Sequence, residues 1–416
     1  MNEKLTKTLY SPGLFDITQD ITGGLPVKLV AQWLESEQNQ AAALALLEPY
    51  KVKGYSVSSD SAGLTKLSKS KTLLEVLALI DKPKQIVYNI GCAIGGQGMG
   101  IWAADNTQMF YPDTVNAGTL VSALLTIQDE INQTSQVKIG LAAHYGEFYS
   151  ISGGLYGIEA DTIEEMAEEQ TQGGEILISQ AIYERLPSNT FNTIKKEEIE
   201  PTHIGDIYKV VDGPRLSGLQ LAQLRYPIPY SEDFYQDLMD YQNNLNNSEL
   251  ESQLKCRYIQ KRVVALVDRE NEKASTYEET MLGSLSFSTM LKDIGIQLLN
   301  TYSGAEIKVL SNFGIYVFDD AVAAVNFVQD CRQKLQDKNI ACRIGVDYGE
   351  TLVFDLATGG KDIAGSPINV ASKISQDRGE FGKIYLSSGM KELVDVSNFK
   401  QISYTVSGVE MISYEG

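Results

Sequence analysis

Only two histidines, His144 and His203, accompany 54 acidic and 35 basic residues in this chain of 416. A histidine-based metal site or a Ser-His-Asp relay is therefore a poor candidate, and any chemistry here rests on carboxylates, divalent metals and lysines. Asp60 ends the β-rich run Tyr55–Ser59 and precedes a turn, where an Asx-turn role is as open to it as a ligand role. Asp105 lies 45 positions further on, in ADNTQMFY. Carboxylates so far apart in sequence meet only if strands bring them together. Lys308 sits in a strand-like run, EIKVL, where a solvated position is the default. Asn369 and Lys373, four apart in DIAGSPINVASK, share one helix face, where capping or exposure is the default. GCAIGGQGMG, residues 91–100, is rich enough in glycine for a phosphate loop, but it precedes a strand instead of opening a helix and reads as the approach to a hairpin. The run IEEMAEEQ reads as a solvated helix face. Cys92, Cys256, Cys331 and Cys342 lack metal-ligand spacing and read as reduced structural thiols.

The formal net charge of −19 sets a field that repels nucleic acid and anionic membranes, so neither is an expected partner. A polyanionic ligand needs a local basic pocket or divalent cations to offset that field. The 43% hydrophobic content suits globular cores, and no stretch approaches the roughly 20 apolar residues of a membrane span. Met1–Tyr10 carries two lysines with no apolar run behind them, unlike a signal peptide, and the expectation is a cytoplasmic protein.

The elements that must position these residues occur twice. VKIGLAAHYGEFYS, LYGIEADTIEEMAEE and GGEILISQAIYERL in the first half answer to ACRIGVDYGETLVF, DIAGSPINVASKIS and FGKIYLSSGMKELV in the second. From Gly157 to Ile176 is 19 residues, and from Gly365 to Ile384 is also 19. Upstream, Tyr55–Ser59 and Arg262–Val267 are strand-like and end at Asp60 and Asp268, and each is followed by an amphipathic helical pattern. Strands are expected around Met99–Ala103 and Glu306–Leu310, then at QMFY and GIYVF, then helices. The order β-α-β-β-α-β in each half indicates α+β sandwiches of ferredoxin-like type, with helices covering one sheet face. The expected divisions are a helical segment at 1–51, modules at 52–213 and 261–416, and a linker with a polar helix at 214–260. The N-terminal segment reads as one helix, VKLVAQWLESEQNQAAALALL, able to cap the first module or a protein partner. Pro227 and Pro229 stiffen the start of the linker, and its tyrosines read as packing on module surfaces.

SSDSAGLTKLS resembles the FxDIxGFTxL motif of class III adenylyl and guanylyl cyclases, and DIAGSPINVASK resembles their DIWGxxVNxASR. The resemblance covers approximately residues 52–213 and 261–416 and implies two cyclase-type domains paired head to tail about a pseudo-twofold axis, within one monomeric chain. It implies that Asp60 and Asp105 hold two metal ions, Mg2+ or Mn2+. In the second copy Asp268 matches the first carboxylate, but Asn312 stands where the other belongs. That copy keeps Lys308 at the purine-reading lysine and Asp362 at the adenine-selecting carboxylate. Asn369 falls at the ribose-orienting amide and Lys373 at a transition-state arginine. The first copy has Ile101, Gly154, Asp161 and Glu165 at those four places, so the losses are complementary. Lys138 falls at the family's basic position before the central IG strand, and Val409 where a phosphate-binding lysine belongs. The implied activity is an adenylyl cyclase converting ATP to cyclic AMP and pyrophosphate at one composite site. The alternative is a pseudo-cyclase that binds a nucleotide and acts as a sensor or interaction module.

Overall fold

The computed structural model describes residues 26–63, 67, 71–100, 102, 106–199, 203–222, 224–226, 230–245, 247–269, 276–310, 313–356, 361–377, 379–406 and 409–416. Asp105, Asn312, Ile101, Pro227 and Pro229 lie outside them. Two units result, Leu47–Ser248 and Glu249–Gly416, and the second also takes the described helices before Leu47.

Those helices are α1 (Val27–Glu35) and α2 (Gln40–Leu47), where the sequence reads as a single helix. The polar stretch between them breaks it. The Ser36 hydroxyl donates to the Trp33 carbonyl, Gln38 takes a left-handed φ of 51°, and Asn39 Oδ1 accepts from the Ala42 N–H to start the next helix. Serine and asparagine side chains offer the backbone partners that compete with helix continuation. Helix α1 packs on the long helix of the second unit.

The first unit runs β1 (Lys51–Ala62), α3 (Leu73–Ala93), β2 (Gln97–Gly98), β3 (Thr107–Pro112), α4 (Ala117–Thr134), β4 (Lys138–Ile151), β5 (Gly154–Tyr156) and α5 (Ile158–Glu165). It continues with β6 (Ile176–Ser179), α6 (Gln180–Tyr183), β7 (Asn192–Lys195), β8 (Ile207–Asp212) and α7 (Glu232–Gln242). The short strand Gln97–Gly98 lies just before the expected Met99–Ala103 strand, of which Ile101 and Ala103 lie outside the described residues, and the glycine run before it turns between helix and hairpin. A Cβ on Gly96 would come within 2.4 Å of the Tyr111 ring, so the turn packs too closely for any larger residue. The linker helix is likewise split in two: α7 packs on α3, and α8 (Ser248–Tyr258) feeds directly into the second unit. Tyr226, Tyr230 and Tyr241 of this segment are buried, as expected for packing residues.

The second unit repeats the plan with β9 (Ile259–Arg269), α9 (Tyr277–Tyr302), β10 (Ala305–Leu310), β11 (Phe313–Phe318), α10 (Ala321–Gln336), β12 (Cys342–Asp355), β13 (Lys361–Ala364) and α11 (Ser366–Ser372). β14 (Ile384–Ser387), β15 (Lys400–Val406) and β16 (Val409–Glu415) complete it. The strand orders, β2-β3-β1-β4-β6-β8-β7 and β10-β11-β9-β12-β14-β16-β15, are the same path drawn twice, with β5 and β13 as added strands on β4 and β12. Capping boxes at Thr72/Glu75 and Thr276/Glu279 start the two long helices. α3 and α4 bury Val87, Ile90, Leu120 and Leu124 against Val57, Met109 and Leu141 of the first sheet. α9 and α10 do the same in the second. Helices are not confined to one face, however. α5 sets Ile163 against Ala142 and Leu177, and α11 sets Ala371 against Val264 and Leu266, both on the opposite side.

Register shows which residues of the two sheets correspond. Leu141 pairs with Ile176, and Ile344 pairs with Ile384. Leu141 therefore answers to Ile344, not to Val346 as the shared IG phrase implies. His144 then answers to Asp347 and Ser179 to Ser387. Each pair is a buried hydrogen bond, His144 Nδ1 to Ser179 Oγ at 2.8 Å and the Ser387 hydroxyl donating to Asp347 Oδ1.

Gly345 lies directly beneath α11, where a Cβ would fall 2.0 Å from the Ala371 carbonyl oxygen. Gly345→Ala should cost about 1–3 kcal/mol of unfolding free energy in a denaturant titration, because the helix must lift off the strand. Burial raises the Asp347 carboxyl above its usual range, and the Ser387 hydroxyl offsets this only in part. A raised folded-state value favours the protonated acid, so its stabilising effect is complete below about pH 4 and is lost as pH rises through the folded value. Asp347→Asn should therefore gain stability relative to the parent chain as pH is raised from about 4 towards 7 in parallel melts. A pH-independent difference would contradict this.

Candidate functional site

The second unit brings two of the expected site residues together. Lys308 on β10 places Nζ 3.3 Å from Oδ1 of Asp362 on β13. Asp362 is 3% exposed, and its Oδ1 also accepts from the Ile363 N–H, which fixes the carboxylate. A charge-assisted pair of this kind, half-buried on the lysine side, presents a donor beside an acceptor. Asn369 and Lys373 follow on the next helix: Asn369 is exposed on α11, and Lys373 opens the π-helical turn after it. No carboxylate among the described residues pairs with Lys373.

The two strand-end aspartates differ sharply. Asp268 is buried, and the Arg343 Nε donates to its Oδ2 at 2.6 Å. Gln376 Nε2 adds a second contact at 3.4 Å. Arg343 also donates to the Gln376 carbonyl and lies over the Phe381 ring. This carboxylate is already neutralised by the chain itself. Asp60 is partly exposed, and the residue across the ladder from it is Gly140, which has no side chain to offer. By the β4–β6 and β12–β14 registers, Gly140 occupies the place of Arg343. The first unit has thus dropped the cation that closes the second unit's carboxylate.

Among the described residues no group of three or more His, Cys, Asp or Glu side chains gathers to hold a metal. Asp60 fits as an oxygen ligand for a hard divalent cation, and Asp105, its expected companion, lies outside the described residues. Thr107, two positions later, pairs with Ser59, and their hydroxyls are 2.7 Å apart.

Lys138 is placed differently from expectation. Its ammonium donates to the carbonyls of Ile131, Asn132 and Ser135 at 3.1–3.2 Å, closing the C-terminus of α4. This is the usual service of a lysine to unsatisfied end carbonyls. Val409 opens β16 opposite Val406.

Sequence reading missed Arg343 and a buried cluster in the first unit. His144 Nε2 lies 3.2 Å from Glu159 Oε2, which also accepts from the Glu147 N–H. Burial works to raise the Glu159 carboxyl, but the His144 and Glu147 contacts outweigh it and leave the group below its usual range. Ser179 is fully buried and His144 nearly so, and the Ser179–His144–Glu159 series links the sheet to α5. The HYGE and DYGE phrases, aligned on their glycines, carry the signal that could have paired His144 with Asp347 and so Gly140 with Arg343.

No family model matches the chain, and no curated protein matches it. Solved structures do. A class III adenylyl cyclase-like ATP-binding protein from Pseudomonas aeruginosa is 11% identical, with 84% of this chain and 86% of that one covered at a TM-score of 0.51. The adenylyl cyclase CyaB from the same organism is 20% identical over 40% of this chain and 98% of its own, at a TM-score of 0.35. The guanylyl cyclase domain of the RhoGC fusion protein from Blastocladiella emersonii is 19% identical over 38% of this chain and 95% of its own, at a TM-score of 0.31. The chain has the fold of a class III adenylyl cyclase-like protein, with one strand path repeated in both units.

Proposed function

We propose that this chain binds ATP and cyclises it to cyclic AMP and pyrophosphate at one composite site. The first unit contributes the metal carboxylates Asp60 and Asp105, and the second contributes Lys308, Asp362, Asn369 and Lys373. The observation that supports this most is the contrast between the two units. One keeps a base-reading lysine and aspartate in contact and has its strand-end carboxylate closed by Arg343, while the other leaves Asp60 opposite a glycine.

Lys308 donates to adenine N1, and Asp362 accepts from the exocyclic amine. Guanine would turn a carbonyl towards Asp362, a mismatch of about 1–3 kcal/mol. Asn369 orients the ribose through its exposed amide, and Lys373 offsets charge that builds on the phosphate as the 3′-oxygen attacks the α-phosphorus and pyrophosphate leaves. Mg2+ or Mn2+ held by Asp60 and Asp105 supplies acidification of the 3′-hydroxyl and charge neutralisation on the leaving group.

A nucleotide sensor without turnover is the second reading. Two observations favour it: a lysine is a point charge where a planar fork would grip two oxygens, and Lys138 would have to leave three carbonyls to reach a phosphate.

Lys308→Ala and Asp362→Ala should each weaken binding of a non-hydrolysable ATP analogue about tenfold to a hundredfold in calorimetry. Tighter binding of the GTP analogue would overturn the adenine reading. Product formation, abolished by Asp60→Ala and by Asn369→Ala, distinguishes the enzyme; binding without product leaves the sensor. Mixing those two variants restores no activity if one chain supplies both halves of the site, and restored activity would show that two chains share it.

A further inference from the structure

β10 carries a bulge. Glu306 pairs with Tyr316 and Lys308 with Ile315, so Ile307 is the extra residue. Tyr316 and Val309 belong to the core under α9 and α10, whereas Ile307 and Ile315 belong to the core on the other face. Residues 306 and 308 of a regular strand point the same way. Here the bulge leaves Glu306 on the helix side and turns Lys308 to the face of Ile315, where Asp362 meets it.

A bulge can slip, and a one-residue slip reverses every side chain beyond it. The residue just before this bulge is held by an ion pair. Lys292 on α9, 3% exposed, places Nζ 2.6 Å from Glu306 Oε1. Lys292 is buried and Glu306 half-buried, so desolvation offsets much of their attraction. A pair retained at such cost is best accounted for by the geometry it specifies. The first unit shows a related arrangement. Lys84, 1% exposed, stands the same number of residues before Gly96 as Lys292 stands before Gly304, the glycines that open the two hairpins. Its ammonium donates to the Trp102 carbonyl at 2.9 Å, again fixing the hairpin backbone to the long helix.

From this we infer that Lys292 and Glu306 are positioning residues for base recognition: their ion pair pins the β10 bulge and so presents Lys308 to Asp362. The inference rests on the base-reading role given above to Lys308, but the pin itself is tested without nucleotide. The rate at which an amine-directed acylating reagent modifies Lys308, followed by peptide mass spectrometry on the full chain, reports its contact with Asp362. Lys292→Met/Glu306→Leu removes both charges of the pair together, while Lys292→Arg keeps the pair. The double variant should label Lys308 at least about threefold faster than the parent, and Lys292→Arg should not. Leu298→Ala, which opens the same core without touching the pair, should leave the rate unchanged. A folded double variant with parental Lys308 labelling would overturn the inference, as would equal acceleration in Leu298→Ala. In parallel, the ATP-to-GTP affinity ratio should fall towards one in the double variant, with affinity for inorganic triphosphate unchanged. A parent protein with no base preference would remove the base-reading role, while the labelling result would still decide the pin.

Discussion

A carboxylate at the end of a central β-strand needs a counter-charge, and the residue across the ladder decides where it comes from. Asp268 faces Arg343, takes its guanidinium at 2.6 Å and is sealed inside the second unit. Asp60, on an equivalent strand, faces Gly140 and receives nothing from that position. Burying a carboxylate is costly unless a counter-charge meets it, and Asp60 stays partly exposed where Asp268 is buried. The same constraint therefore separates a structural aspartate from one suited to a metal, in two sheets that otherwise follow one path.

The duplication gives each difference a reference. Where the first unit has Ser179 and His144, the second has Ser387 and Asp347, and both keep a buried hydrogen bond there. Where the second unit has Asp362 beside Lys308, the first has Gly154, whose backbone alone continues β5. Such differences preserve packing while removing charge. The hairpin of each unit is fastened to its long helix by a buried lysine, though through different acceptors, a carboxylate in one and a carbonyl in the other. The hairpins carry the residues on which the proposed chemistry depends, so their attachment matters more than their small size implies.

Much of this was legible in the sequence because the signals are local. The equal spacing from Gly157 to Ile176 and from Gly365 to Ile384 reflects a turn, a short helix and a strand that each build within a few residues. The Lys308–Asp362 contact was legible only through family resemblance, since nothing local links residues that far apart. The IG phrase misled because identical dipeptides need not share a register: the parallel pairing with β6 and β14 displaces them by two. That displacement hid Arg343. Lys138, placed through the family resemblance, holds three helix-end carbonyls here. The long N-terminal helix failed at Ser36–Asn39, where side-chain hydrogen bonds compete with the helix and periodicity counts only apolar positions.

The central proposal is that Asp60 of the first unit, and not Asp268 of the second, serves as a ligand to a divalent ion. Mn2+ binding followed by electron paramagnetic resonance, with a non-hydrolysable ATP analogue present, tests it directly in the parent chain, Asp60→Asn and Asp268→Asn. The account predicts that Asp60→Asn loses bound Mn2+ while Asp268→Asn retains it. Loss of Mn2+ with Asp268→Asn and none with Asp60→Asn would contradict it.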